Sequence, residues 1–382
     1  MLVRNSLSKI FASICLIVTC LFLFVAPISA QEVEPPYYFT GKVTEVVEQQ
    51  LVDQENEFYT QIVAVVRDDT GEKINVPVGS QFQPLNKQQL MTVGKKLVLA
   101  EQKLIDGSTE VVVADVYRMN TVYWLLGLFV VVVLIVGGLR GAASFIGMMI
   151  SVAILLSYIV PQILSGSNPV IISLLGSLAI GALTIYIAHG FSKKSHVALA
   201  SMISILFLVA GLAYMAVKAA QLVGLGSEEA YFLQFSDTAR INLQGLLLGG
   251  ILLGALGVLD DITISQASIV FELKEAKKDI SWHELYERAL SVGRDHVASL
   301  VNTLVLAYAG ANLPLFLLFI LNEQSPDWVT LNSDILVEEI VRTLAGSIGL
   351  VLAVPLSSFI AATVVTRGDN RQKTAKKAIK AT

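Results

Sequence analysis

Reactive and charged side chains are scarce in this 382-residue chain. It has two cysteines, Cys15 and Cys20, both within its first apolar stretch. It has four histidines, His189, His196, His283 and His296, without metal-ligand spacing, and no HExxH run. Neither a Walker A sequence nor a G-x-S-x-G elbow occurs, so ATP-driven transport by this chain alone and α/β-hydrolase chemistry lack a basis. Charged residues make up 15%, against about a quarter in an ordinary soluble domain. The net charge of -4 gives no nucleic-acid footprint. These absences predict a protein that is not an enzyme and carries no cofactor or metal.

What is present is apolar, at 54% of residues, and gathered in runs. Residues 1–30 read as a secretory signal: Arg4 and Lys9, an apolar stretch from Ile10 to Val25, and small residues up to a cut after Ala30. The alternative is an uncleaved first anchor. A lipoprotein reading of Cys20 fails on Thr19 before it. After cleavage no thiol remains, which removes disulfides, zinc–cysteine sites and cysteine nucleophiles.

Residues 31–120 are of another kind, with 14 acidic and 8 basic residues and no long apolar run. Alternation predicts strands at Phe39–Val47, Phe58–Val66, Lys73–Val78, Lys96–Glu101 and Glu110–Tyr117. Asp69-Thr70-Gly71 and Asp106-Gly107-Ser108 supply turns between them. Five short strands predict a small extracytoplasmic barrel or sandwich, of the OB kind. Its acidity argues for a spacer or a partner-docking role over nucleic-acid binding.

From Thr121 to residue 365 the pattern predicts about seven transmembrane helices, at 121–138, 142–164, 168–188, 197–218, 243–264, 297–321 and 338–365. Charge orients them. Arg140, Lys193, Lys194, Lys274, Lys277, Lys278, Arg288 and Arg294 fall on one side, with the basic tail of residues 366–382. The opposite loops contain Arg240 as their one clear cation and are otherwise acidic: Glu228, Glu229, Asp237, Glu323, Asp327 and Asp334. The positive-inside rule puts the C-terminus in the cytoplasm and the mature N-terminus outside. The tail itself reads as an orientation signal.

The exceptions inside the apolar runs are the functional candidates. In the fifth span Gly245 and Gly249, and Gly250 and Gly254, stand four apart, a spacing that lets helices approach on more than one side. Asp260 and Asp261 follow. Either the helix ends near Leu259 and the acids cap the next segment, or it continues and holds two carboxylates within the bilayer, where they are costly and usually functional. Adjacent like charges suit a proton or cation site, because a bound proton or cation relieves their repulsion.

Ser281-Trp-His-Glu284 has a capping-box pattern. With Trp282, Leu285, Ala289 and Val292 on one face, it predicts a helix on the cytoplasmic surface leading into Arg294-Asp295-His296, a coupling candidate. The sixth span holds Asn302, Tyr308, Gly310, Asn312 and Pro314, which predict interhelical hydrogen bonds or a transport path, and a break in the helix. In the seventh, Glu338 and Arg342 stand one turn apart as an interfacial ion pair or coupling element.

Leu259-Asp260-Asp261-Ile-Thr-Ile-Ser-Gln-Ala-Ser268, Gly293-Arg294-Asp295-His296, and the stretch from Asn302 through Tyr308, Gly310 and Asn312 to Pro314 resemble the YibE/F family. Glu339-Ile-Val-Arg342-Thr-Leu-Ala-Gly346 belongs to the same resemblance, which covers roughly 120–365. It implies a multi-pass bacterial plasma-membrane protein of undefined activity. A weaker similarity of residues 245–365 is to the membrane half of the SecD/SecF export proteins, with Asp261 at the place of their Asp. Arg294-Asp295 stands where they open a span with Arg-Thr. That similarity implies export assisted by a proton gradient. Their β-rich domain follows a first span, whereas here it precedes all the mature spans.

Together these readings predict transport or export assistance coupled to proton or cation movement. Asp260 and Asp261, with Asn302 and Asn312 nearby, would form the site. Arg294, Asp295, His296, Glu338 and Arg342 would couple it. The alternative is a non-transporting scaffold or sensor whose β domain binds a partner. Seven spans exceed what an anchor requires. The expected partners are the lipid bilayer and either another membrane protein or a second copy.

Overall fold

Alternating apolar residues between positions 37 and 116 build five antiparallel strands: β1 (Tyr37–Asp53), β2 (Phe58–Arg67), β3 (Lys73–Val78), β4 (Lys96–Lys103) and β5 (Thr109–Val116). The computed structural model describes residues 36–53, 57–80, 82–103, 108–235, 241–321 and 326–380. The expected signal with Cys15 and Cys20, the turn residues Asp106 and Gly107, and loop residues Asp237, Arg240 and Glu323 lie outside the described residues. The described residues divide into two compact units, one from residue 36 to 135 and one from residue 136 onward.

In the first unit the sheet order is β3-β2-β1-β4-β5, and the edge strands β3 and β5 come close to each other. The result is an all-β half-barrel. Register shifts along β1 bend it, as inserted residues do. Phe39, Val43, Val63, Val65, Val76, Val78, Leu97 and Leu99 form its core. Gln61 is buried there and satisfied: its Oε1 accepts from Met91 N at 2.7 Å and its Nε2 donates to Gln49 Oε1 at 3.0 Å. Outside the core, Arg67 lies 3.7 Å over the Phe39 ring and pairs with Asp69 and Glu101 at 3.0 and 3.2 Å.

Helices make up the rest. A run from Met119 to Leu164 (α1) passes through a π turn at Leu155–Ile159. Its 46 residues would extend about 70 Å, more than twice the hydrocarbon thickness. It is divided at Gly138, whose φ of 54° and ψ of -138° only glycine adopts readily. There follow α2 (Pro169–His189), α3 (Lys193–Ala219), α4 (Glu228–Gln234), α5 (Leu243–Ala276), α6 (Trp282–Ala311), α7 (Leu313–Leu321), α8 (Asp327–Leu331) and α9 (Asp334–Lys380).

Among the described residues five helices are long and apolar enough to cross a membrane, or six if α6 and α7, bent by 72° at their junction, act as one. Against the expected seven, 121–138 and 142–164 are joined in α1, and 297–321 counts as a span only if α6 and α7 act together. The expected surface helix and sixth span are also redrawn. They are one helix, α6, because its inward stripe of Leu285, Ala289, Gly293, Val297, Leu300 and Leu304 runs on without interruption. Gly293 permits this contact: a Cβ there would sit 2.7 Å from Gln266 Nε2. The break comes later, at Asn312, where Pro314 cannot donate a backbone hydrogen bond and the Asn312 amide caps Tyr308 O at 3.0 Å.

The hub is α5, which packs against α2, α3 and α9. Of its two glycine pairs, one is used as expected. A Cβ at Gly245 would lie 3.2 Å from Pro169 Cδ, and one at Gly249 would collide with Ser173 Oγ, so α2 and α5 touch backbone to backbone. Gly250 faces open space, and Gly254 meets only the Tyr308 hydroxyl.

Candidate functional site

Asn242 begins α5, its side-chain oxygen accepting from Gly245 N at 3.0 Å. From there the helix is unbroken to Ala276. Asp260 and Asp261 therefore cap nothing. They stand about 26 Å along the axis from Leu243, in the interior of the helix. Asp260 is half-buried toward α2, whereas Asp261, one residue or 100° further round, is exposed.

Two further elements complete the surroundings of Asp260. From α2, the Thr184 hydroxyl donates to Asp260 Oδ2 at 2.8 Å, with Gly181 O at 3.2 Å as its other acceptor. From α1, Gly147 packs against Thr184, with room for a Cβ in ordinary contact at 3.6 Å. Between them opens a cavity of about 280 Å³ lined by Ser144, Gly147, Thr184, His189, Gly257, Asp260 and Asp261, among others. His189 ends α2 just before Gly190, whose φ of 70° turns the chain toward Lys193 and Lys194. The cavity thus sits toward the basic end of α2, with His189 on its wall. Among the described residues no three His, Cys, Asp or Glu side chains converge as a metal cage would require.

The other candidates are elsewhere. Asn302 is exposed on α6, and Asn312 donates to Glu339 Oε1 at 2.8 Å, so neither asparagine joins the two acids. The reason is positional: Asn312 ends α6 beside the start of α9, whereas Asp260 lies beside the end of α2. The expected Glu338–Arg342 pair is likewise corrected. Arg342 Nη1 binds Glu339 Oε2 at 2.9 Å, while Glu338 points inward and accepts the backbone N–H groups of Gly224 and Gly226. Spacings of three and four both suit a helical ion pair. The loop at 224–226, pressed onto Glu338, decides between them. Arg294, Asp295 and His296 make no hydrogen bond or ion pair among the described residues, and Arg294 and Asp295 are exposed.

Sequence reasoning missed Thr184, Ser144 and the placement of His189. A hydroxyl in an apolar helix usually bonds its own backbone, so only the facing acid marks Thr184 out. It also missed Gln266, fully buried, whose Oε1 accepts from Ser358 Oγ at 3.0 Å and ties α5 to α9.

A family model of YibE/F-like proteins matches residues 125–367, well over half of the chain. The chain belongs to the YibE/F-like family. The family match takes in every residue of the Asp260 cavity and leaves the half-barrel outside it. No curated protein and no solved structure matches the chain. The family description names no activity, so chemistry has to be argued from the site.

Proposed function

We propose that this YibE/F-like protein is a membrane transport or export-assisting protein driven through a proton site at Asp260. The observation that carries this is a carboxylate in the interior of an unbroken apolar helix, held by one hydroxyl and open to a cavity. Ionisable groups at such positions are expensive, and they are kept where protons or ions pass. A proton suits the site better than a multiply coordinated metal, because one hydroxyl, that of Thr184, is what holds the Asp260 carboxylate among the described residues.

The hydrogen bonds describe how a proton would be handled. With Asp260 ionised, Thr184 donates to it. On protonation Asp260 becomes the donor, and Thr184 turns its own proton to Gly181 O, already 3.2 Å away. His189, at the basic end of the cavity, is positioned to exchange protons with Asp260. Asp261 adds a second negative charge that favours cation entry.

The test is reconstitution of the full chain into liposomes enclosing a pH-sensitive dye. Flux lost on Asp260→Asn supports the reading. Absence of any flux in the native protein, with a partner captured by residues 31–120, supports the scaffold alternative instead.

We also read α1 as crossing twice, turning at Gly138 beside Arg140, which puts the half-barrel outside and the basic segments inside. Phe82, 95% exposed, offers the check. With Cys15 and Cys20 replaced by serine, Phe82→Cys should react with a membrane-impermeant maleimide added to intact cells. Labelling only after the cells are opened would mean a single crossing.

A further inference from the structure

A second cavity, of about 460 Å³, lies away from Asp260 where α5 ends, α6 begins and α9 passes. Its wall carries Lys274, Lys278 and Arg367 against a single acid, Asp279. Hydroxyls of Ser281, Thr363 and Thr366 complete the polar lining. Trp282 closes one side. Its ring stacks on Tyr286 at 5.3 Å, meets Phe359 edge-on at 5.6 Å, and donates from Nε1 to Thr363 Oγ1 at 3.2 Å. An indole fixed by both a polar and an apolar contact is typical of the headgroup level of a bilayer.

The cavity does not stop at its polar wall. Thr363 and Phe359 lie on the same face of α9 as Leu352, Ile348 and Leu344, all within about 100° of arc at helical spacing. Phe359, Leu352, Ile348 and Leu344 are exposed, by 48%, 37%, 42% and 54%. A cationic pocket therefore continues into an apolar track running four turns along the helix. We infer that this site binds an anionic phospholipid, its phosphate among Lys274, Lys278 and Arg367 and an acyl chain along the exposed face of α9. Basic pockets between helices at the cytoplasmic surface suit such headgroups. A free phosphate would use the same cations but leave the track empty.

Native mass spectrometry of the full chain, purified with phosphatidylglycerol or with phosphatidylcholine of identical chains, reads the site directly. Phosphatidylglycerol should be retained selectively. Lys278→Ala and Arg367→Ala should each lower that selectivity roughly five-fold, the size expected for one cation at a membrane surface. Lys193→Ala, at the same basic end but outside the pocket, should leave it unchanged. Equal retention of the two lipids by the native protein would overturn the assignment, as would unchanged selectivity in the double variant that combines Lys278→Ala with Arg367→Ala. If the double variant does not fold, salt decides: retention in the native protein that is the same at low and at molar salt counts against a phosphate among cations. Millimolar inorganic phosphate that displaces the lipid completely would show a phosphate site and refute the lipid.

Discussion

Asp260 and Glu339 are both carboxylates on long helices of one bundle, yet their surroundings differ in kind. Glu339 is held from two sides, by Arg342 at 2.9 Å and by the Asn312 amide at 2.8 Å. Asp260 has one neutral partner, Thr184, and its remaining lone pairs face the cavity. A carboxylate locked between a cation and an amide is fixed in charge and geometry. One held by a hydroxyl with a second acceptor in reach can change its protonation state without rearranging the backbone. The difference lies in the partners and not in the residue type, and the proposed proton site rests on it.

The sharpest way to break this comparison is to neutralise each acid in turn. Asp260→Asn should abolish proton flux in the liposome assay while leaving thermal stability of the detergent-solubilised protein nearly unchanged. Glu339→Gln should do the reverse, keeping flux and lowering the melting temperature, since Arg342 would lose its partner in a half-buried position. Flux that survives Asp260→Asn would end the comparison.

Thr184 tests the same point one step removed. Thr184→Val keeps the shape and deletes the hydroxyl. Hydrogen bonds to charged groups contribute about 1.5–3 kcal/mol, so the flux rate should fall roughly ten- to hundredfold. Thr184→Ser should restore most of it. A valine variant with native flux would mean that the hydroxyl merely packs.

The α2–α5 contact offers a smaller effect, on assembly and not on chemistry. Gly249→Leu places a side chain against Ser173 and Pro169 and should destabilise the bundle by about 1–3 kcal/mol, read from denaturant unfolding in micelles. Gly250→Leu, one residue on and facing open space, should leave stability within error. Equal losses from both would show that α5 is closely packed on two sides, as the spacing of its glycines by itself implies.

These residues also show what could be read from the sequence and what could not. The strands were legible because alternation and turn residues act locally. Phe58, Lys73 and Lys96 begin β2, β3 and β4 where the pattern puts them. Asp260 was legible as an exception to an apolar run. Its surroundings were not, because spacing along one helix carries no information about which ends of other helices meet it. Thr184 lies 76 residues away, and the asparagines expected beside the acids are at other places in the bundle. Glu338 and Glu339 differ by one position on α9, and only the approach of the loop at 224–226 makes the first of them the inward-facing one. The continuity of α6 through Arg294-Asp295-His296 was hidden for another reason. A charged triplet reads as an interface, whereas the stripe beneath it, from Leu285 to Leu304, goes on undisturbed.

The half-barrel extends the comparison to a carboxylate in water, where the effect is smallest. Arg67, fixed over the Phe39 ring, holds the Asp69 carboxyl down to about 2, from an ordinary 3.8, by hydrogen bonds from Nε and Nη2. Lys96 and Thr40 lower Asp68 in the same way. Because the folded state depresses these values, the stability they lend is full above about pH 4 and is lost as the pH falls toward 2. Carboxyl-carbon NMR of the full chain should give an Asp69 midpoint near 2, and Arg67→Ala should return it toward 3.8. Proton flux at neutral pH should not change in that variant, since Asp69 is ionised there with or without Arg67. An Asp69 midpoint indifferent to Arg67 would mean that the ion pair does not persist in solution. Asp69 would then resemble Asp260 in lacking a fixed cationic partner, but without a cavity to give that freedom a use.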